Sequence, residues 1–416
     1  MELYEPDRLS AAQLAAMRRS STRGRAAVSR RSLLRATGGG ALAVGGLGAL
    51  SACGIPAASK APGGVSADDH SKEEKRVNFS NWTEYMDVDE KDKNRRPTLD
   101  AFAKRTGIKV EYTEDINDNT EFFGKIKPQL AAGQETGRDL ICVTDWLAAR
   151  LIRFGWVQKL DPANLPHAYA HLAPQFRSPD WDPGRAYSYP WTGISTVIAY
   201  NTKATGGRDI TSISQLLDDP KLKGRVGFLS EMRDSVGMTL LDQGKDPADF
   251  TDDDFDKAIA RLQKAVDKKQ IRRFTGNDYT GDLDKGDLAA CVAWAGDVVQ
   301  LQADNPDIKF HIPDSGYITS TDNLLIPNKA RHKANAEKLI DYYYELPVAA
   351  ELAAWINYVC PVDGVKPELA KIDEALADDP LIVPDKEMAA KSHPFRSLSS
   401  KEEQRYEAKF AQLTGA

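Results

Sequence analysis

The sequence predicts an α/β protein built of two units, on three observations. From Arg76 onward, short apolar runs of strand character alternate with stretches of helical periodicity, the order that yields a mostly parallel sheet. The alternation pauses at the charged, glycine-containing stretch Asn201–Asp209, a crossing point between units, and then begins again. Strand after strand also runs into aromatic and acidic side chains, where an open α/β sheet presents groups to a ligand crevice.

The elements follow in order. Val77–Ser80 reads as a strand, and Pro97–Thr106 as a helix with proline in its first turn and Gly107 as its stop. Ile108–Tyr112 alternates at period two. Thr120–Ala132 is helical, Asp139–Val143 a buried strand, Trp146–Phe154 a helix, and Ala186–Asn201 a long strand. The second unit opens with the helix Ser212–Leu217, the strand Arg225–Leu229 and the helix Asp234–Leu241. Asp252–Asp267 is amphipathic, with Phe255, Ile259, Leu262 and Val266 on one face. Further strands are Ile271–Phe274, Leu288–Trp294, Lys309–Ile312 and Asp322–Ile326. The helices Lys333–Glu345, Val348–Ile356 and Lys401–Leu413 close the chain, the last with Ser400 and Glu403 spaced as a capping box.

The N-terminal region has a different character. Residues 1–52 carry eight arginines against three acids, a net charge of +5, which leaves −11 of the overall −6 on the remainder. Arg30-Arg31 precedes the fifteen uncharged residues Ala36–Leu50, and Leu50-Ser51-Ala52-Cys53 has the form of a lipobox. A twin-arginine pair, an apolar run shorter than the ~20 residues of a permanent membrane span, and an acceptor cysteine stand in the order of an exported lipoprotein. Two acyl chains on Cys53 give stable anchoring. The acids Glu2, Glu5 and Asp7 are foreign to such a signal, so Met17 is a second candidate start. Residues 53–75 read as a flexible tether rich in Ala, Pro, Gly and Ser. Cys142 and Cys291 lie in apolar strands and suit buried small hydrophobes; with Cys360 the number is odd, disulfides are not required, and whether any two pair is left open by the sequence.

With 41% hydrophobic and 28% charged residues over 416 positions, the chain excludes global disorder, and its acidic body argues against nucleic-acid binding. The candidate site gathers Asn81-Trp82-Thr83-Glu84-Tyr85, Asp145, Glu231, Asp234, Trp294, Asp297 and Asp322. Aromatic faces attract cations and carboxylates fix ammonium groups, so the set describes a cleft for an aliphatic amine with separated charges. Read singly, these residues also fit plainer roles, since Glu231 and Asp234 stand where acids favour a helix start. Enzyme readings find less support. His167 and His171 are spaced for one helix face but have no third ligand nearby, and no nucleophile elbow or phosphate-cradling glycine loop is present. A sugar, amino acid or metal cargo is the alternative on the same fold.

Asn81-Trp-Thr-Glu-Tyr85, Thr106-Gly-Ile-Lys-Val110, Ser230-Glu-Met-Arg-Asp234, Trp294-Ala-Gly-Asp297, Asp322 and Asn357-Tyr358 together resemble the spermidine/putrescine-binding proteins of bacterial ABC importers. The resemblance spans roughly residues 76–364. It implies a two-lobed periplasmic-binding-protein-like fold of type II, with mixed, mostly parallel sheets and a hinge. Lobe 1 is expected at 76–200 and 297–364, and lobe 2 at 201–296 and 365–416. It further implies a monomer without cofactor that delivers putrescine or spermidine to ABC permease subunits from a lipid anchor on the outer face of the cytoplasmic membrane. Trp82, Thr83, Glu84 and Tyr85 then line one lobe, and Glu231 and Asp234 hold an ammonium from the other. Trp294 and Asp297 stand near the hinge, and Asp322 and Tyr358 complete the site. Asp145 stands where the family tends to have Ser or Tyr, and Ser320-Thr321 where an aromatic is usual, which leaves the choice of polyamine open.

Overall fold

The computed structural model describes residues 68–89 and 91–415. The twin-arginine signal, the Cys53 lipobox and most of the tether lie outside the described residues.

The first lobe begins with β1 (Arg76–Trp82), α1 (Pro97–Thr106), β2 (Lys109–Ile116), α2 (Asn119–Ala131), β3 (Leu140–Thr144) and α3 (Asp145–Arg153). β4 (Ser188–Asn201) leads into the second lobe. There follow β5 (Val226–Leu229), α4 (Met232–Asp242), α5 (Asp252–Asp267), β6 (Ile271–Thr275), β7 (Ala290–Trp294), α6 (Ala295–Asp304) and β8 (Ile308–His311). β9 (Tyr317–Leu325), α7 (Lys333–Tyr343) and α8 (Leu346–Ile356) return to the first lobe, and β10 (Ser392–Pro394) and α9 (Ser400–Thr414) end the chain.

The strands run in the order β2-β1-β3-β9-β4-β7-β5-β6, with β10 beside β9 and β8 beside β4. Pairing is parallel among β2, β1 and β3, among β7, β5 and β6, and between β10 and β9; it is antiparallel where β3, β9, β4 and β7 meet and between β8 and β4. Two hydrophobic cores result. Ile194 of β4 packs in the first and Val197 in the second; Leu324 of β9 packs in the first and Ile318 in the second. A third passage lies near residue 382, where Ile382 joins the first core and Met388 the second.

The crossing therefore falls inside a buried strand and not at Asn201–Asp209. Asn201 Nδ2 donates to the Leu283 carbonyl at 3.0 Å, so that charged stretch only turns the chain within the second lobe. The lobe boundaries shift accordingly. Val298 and Ile308, expected in lobe 1, pack in the second core, while Leu369, Ala377 and Ile382, expected in lobe 2, pack in the first. α1 and α5 keep their expected bounds. α5 is started by a reciprocal Thr251–Asp254 capping box, and Gly107 ends α1 at φ 73°. At α9 the capping pair is Ser399 and Glu402, one residue earlier than expected, because Glu403 is buried against arginines of other elements. Cys142, Cys291 and Cys360 are buried and unbridged.

Candidate functional site

The cleft lies where the carboxyl ends of β1, β3, β5, β6 and β7 converge on β4 and β9. It is narrow, and is lined by Trp82, Tyr85, Thr144, Ile194, Glu231, Asp234, Asn277, Trp294, Ser320 and Asp322. Both lobes contribute.

Trp82 ends β1 and Tyr85 follows a turn in which Glu84 adopts the left-handed conformation, φ 65°. That turn puts both rings inside, 6.3 Å apart, while Glu84 points to solvent. Thr83 and Glu84 are thus not among the lining residues, a correction to the expected set whose cause is the reversal at Glu84. Trp294 faces Trp82 edge-on at 6.3 Å from across the cleft.

Asp322 lies within β9, not at a strand end as expected, and is 1% exposed. Its two oxygens accept from Tyr85 Oη at 2.9 Å and Thr144 Oγ1 at 2.7 Å. Loss of solvent still pushes the carboxyl up to about 7, against the pull of those hydroxyls, with Asp145 and Asp234 adding repulsion. Burial likewise lifts Asp234 to about 6, although Thr196 Oγ1 and Trp294 Nε1 donate to it. Asp145, which accepts from Thr321 N at 3.3 Å, is lifted by burial to about 6. Glu231 is lifted to about 8 by the same cause, with Arg233 pulling the other way from 3.9 Å. Four desolvated acids stand close together, each held back from ionising, and a cation placed among them would let them ionise.

Asp297 and Tyr358 brace the site from behind. Asp297 accepts from Tyr358 at 2.6 Å, Tyr279 at 2.8 Å and Asn277 Nδ2 at 2.9 Å. Tyr358 in turn packs on Tyr85, ring centres 5.3 Å apart. The Trp294-Ala-Gly-Asp297 pattern has a steric reason: a Cβ on Gly296 would sit 2.2 Å from the Tyr358 ring.

Thr144, Asn277, Thr196 and Tyr279 were not expected. Asn277 and Tyr279 follow β6, so the strand-end rule applied to that strand finds them; Thr144 directly precedes Asp145. Thr196 and Ile194 sit inside a continuous buried strand and carry no local signal. His167 and His171 lie apart from the cleft, with Nδ1 of His167 on Asp341 and Nδ1 of His171 on the Tyr344 carbonyl.

The lobes also touch at the cleft rim. Ser230 Oγ donates to Asp118 at 2.9 Å, and Gly276 passes so near Asn117 that a Cβ there would lie 2.5 Å from its carbonyl oxygen. Two α/β lobes linked by crossing strands and closed over a cleft lined by both define a solute-binding protein. The chain belongs to the bacterial extracellular solute-binding protein family, which matches residues 98–384. It is 27% identical over 312 residues to spermidine/putrescine-binding periplasmic protein 1 of Haemophilus influenzae, covering 75% of this chain and 81% of that protein. It is 28% identical over 344 residues to the putrescine-binding periplasmic protein PotF of Escherichia coli K12, covering 79% and 88%. Among solved structures, a spermidine/putrescine ABC transporter protein from Listeria monocytogenes superposes with a TM-score of 0.70 at 21% identity, covering 82% of this chain and 98% of that one. The Tp0655 lipoprotein of Treponema pallidum superposes at 0.67 and 18% identity, covering 82% and 100%.

Proposed function

We propose that this protein captures a polyamine, putrescine or spermidine, outside the cytoplasmic membrane and delivers it to the permease of an ABC importer, performing no catalysis itself. The observation that carries the reading is the group Asp145, Glu231, Asp234 and Asp322, raised by burial and contributed by both lobes; Glu231, Asp234 and Asp322 line the cleft with the indoles of Trp82 and Trp294, and Asp145 stands just behind the lining. Carboxylates in low dielectric repel one another when the cleft is empty and bind ammonium groups strongly when it is filled. Indole faces cover the methylenes between the charges. Asp297 and Tyr358 hold the walls in place. The polyamine names borne by the relatives agree with that chemistry. A metal cargo has less support: among the described residues no group of three or more His, Cys, Asp or Glu is placed to hold an ion.

The purified protein is expected to melt at a higher temperature with putrescine or spermidine than alone, since a ligand at one hundred times its Kd adds about 2.7 kcal/mol to the native state. Sugars, amino acids and divalent metals are the comparison arms. A shift with a sugar and none with any amine would sink the reading.

In this proposal the protein works as a monomer, exported through the twin-arginine route and held by lipid on Cys53. Among the described residues no helix is long and apolar enough to cross a membrane. Cys53→Ser is expected to leave the body folded but unlipidated, and therefore to move it from the membrane fraction to the soluble one. Mass spectrometry of the N-terminal peptide together with fractionation reads the result, and an equally membrane-bound variant would remove the anchor.

A further inference from the structure

One cluster outside the cleft spans the two lobes. α3 belongs to the first lobe through Leu147, Ala148 and Leu151, and α9 to the second through Tyr406, Phe410 and Leu413. Between them lie Arg150 and Arg153 of α3, Arg233 of α4, and Glu403 and Glu407 of α9. Arg150 bridges Glu403 at 3.2 Å and also reaches Glu407, and Arg153 bridges Glu403. Arg233 reaches Glu403 at 3.3 Å and Glu407 at 3.9 Å. The group is largely out of water, with side-chain exposures of 10% for Arg150, 10% for Arg233 and 7% for Glu403. Trp146 completes it, with the Arg233 guanidinium 4.4 Å and the Arg150 guanidinium 4.7 Å from its ring centre.

The cluster ends at the cleft. Arg233 is also 3.9 Å from Glu231, whose other oxygen accepts from Asn119 of the first lobe at 3.3 Å. A chain of charges thus runs from the last helix through Arg233 to an acid of the binding site.

We infer that Glu403, seconded by Glu407, is a positioning residue for ligand capture that clasps the first lobe to the second in the closed state from outside the cleft. The inference rests on the polyamine reading for its ligand. The physical argument does not require the ion pairs to be net favourable. Opening the lobes parts α3 from α9 and lets water solvate every partner, whereas closing removes that water. With Glu403 neutralised, only the closed state holds three guanidiniums with too few counter-charges, so the mutation weighs on closing and spares the open form.

Glu403→Gln is therefore expected to raise the dissociation rate of bound putrescine ~10- to 100-fold while changing the association rate by less than about threefold, the pattern of a desolvated charge partner removed. Glu407→Gln, whose side chain is 36% exposed, should fold without difficulty and give a smaller increase in the same direction. Stopped-flow kinetics reads both. Paired spin labels, one on each lobe, read the separation of the unliganded protein and should show a larger open population in both variants. A purely structural role lowers the melting temperature and leaves dissociation rate and lobe separation unchanged, and that result overturns the inference. If the wild-type chain binds no polyamine, the functional reading fails, and the unliganded lobe separation alone then decides the clasp. Should Glu403→Gln fail to fold, Glu407→Gln decides both measurements.

Discussion

Asp322→Asn is expected to weaken putrescine binding by about 30- to several-thousand-fold, equivalent to roughly 2–5 kcal/mol for removing one partner of a desolvated ion pair. The substitution keeps shape and nearly all hydrogen bonding. Tyr85 and Thr144 both donate to this side chain, and either hydroxyl can rotate to accept from an amide instead. What disappears is charge. The unliganded protein should melt at an unchanged or higher temperature above pH 7, for a definite reason of sign. The folded carboxyl sits near 7 where the unfolded one sits near 3.8, so the native state holds a proton more tightly, and stability falls as pH rises through that window. Asparagine has no proton to lose and escapes the fall. Calorimetric titration and melting at pH 7.5 test both halves. Intact affinity with lowered stability would make Asp322 a packing residue and remove it from the site. Glu231→Gln should behave alike, because burial lifts its carboxyl to about 8 and the native state likewise holds that proton more tightly than the unfolded one.

Raising the pH from 5.5 to 7.5 is expected to tighten polyamine binding by at least ~10-fold. Asp145 and Asp234 ionise near 6, Asp322 near 7 and Glu231 near 8 in the empty cleft, because burial disfavours their charged forms. Aliphatic amines keep their protons to about 10. At the acidic end the ligand is charged and its receptors are largely not, so binding must expel protons; at the alkaline end Asp145, Asp234 and Asp322 are largely ionised and only Glu231 still holds its proton. Isothermal titration in buffers of differing ionisation enthalpy should detect proton release at pH 6–7, and Asp322→Asn should flatten the profile. An affinity that does not change over this range would mean that these acids are not what holds the ligand.

How much of this was legible in sequence depends on how local each signal is. α1 and α5 announce themselves through proline, capping side chains and a terminal glycine, all decided within a few residues. The strand-end rule located Trp82, Glu231, Asp234 and Trp294 because a parallel strand delivers its last residues to the crevice. Asp322 was found for a reason that does not hold, since β9 runs antiparallel through the junction and the acid sits in its middle; only resemblance to the family marked it. The crossing between lobes lies in a continuous buried strand that carries no charge, and its Gly193 serves close packing against Val359, so nothing local announces a boundary there. The short helix Tyr279–Lys285 escaped for want of a periodic apolar face. Glu403 was read as a cap because Ser399-x-x-Glu402 and Ser400-x-x-Glu403 are overlapping frames, and only the arginines of distant elements decide between them.

The way the chain threads both cores bears on its synthesis. β1 near the start packs in the same core as α8, while the second core is finished by Tyr406, Phe410 and Leu413 of the last helix. Neither lobe owns a continuous stretch of sequence that could close by itself on the ribosome. Contacts of such long sequence separation form slowly, because the intervening loop must be ordered before they repay it. The nascent protein therefore carries exposed apolar strands until its final residues emerge. A truncation that removes only α9 should consequently leave a product that is recovered as aggregate and not as one finished lobe.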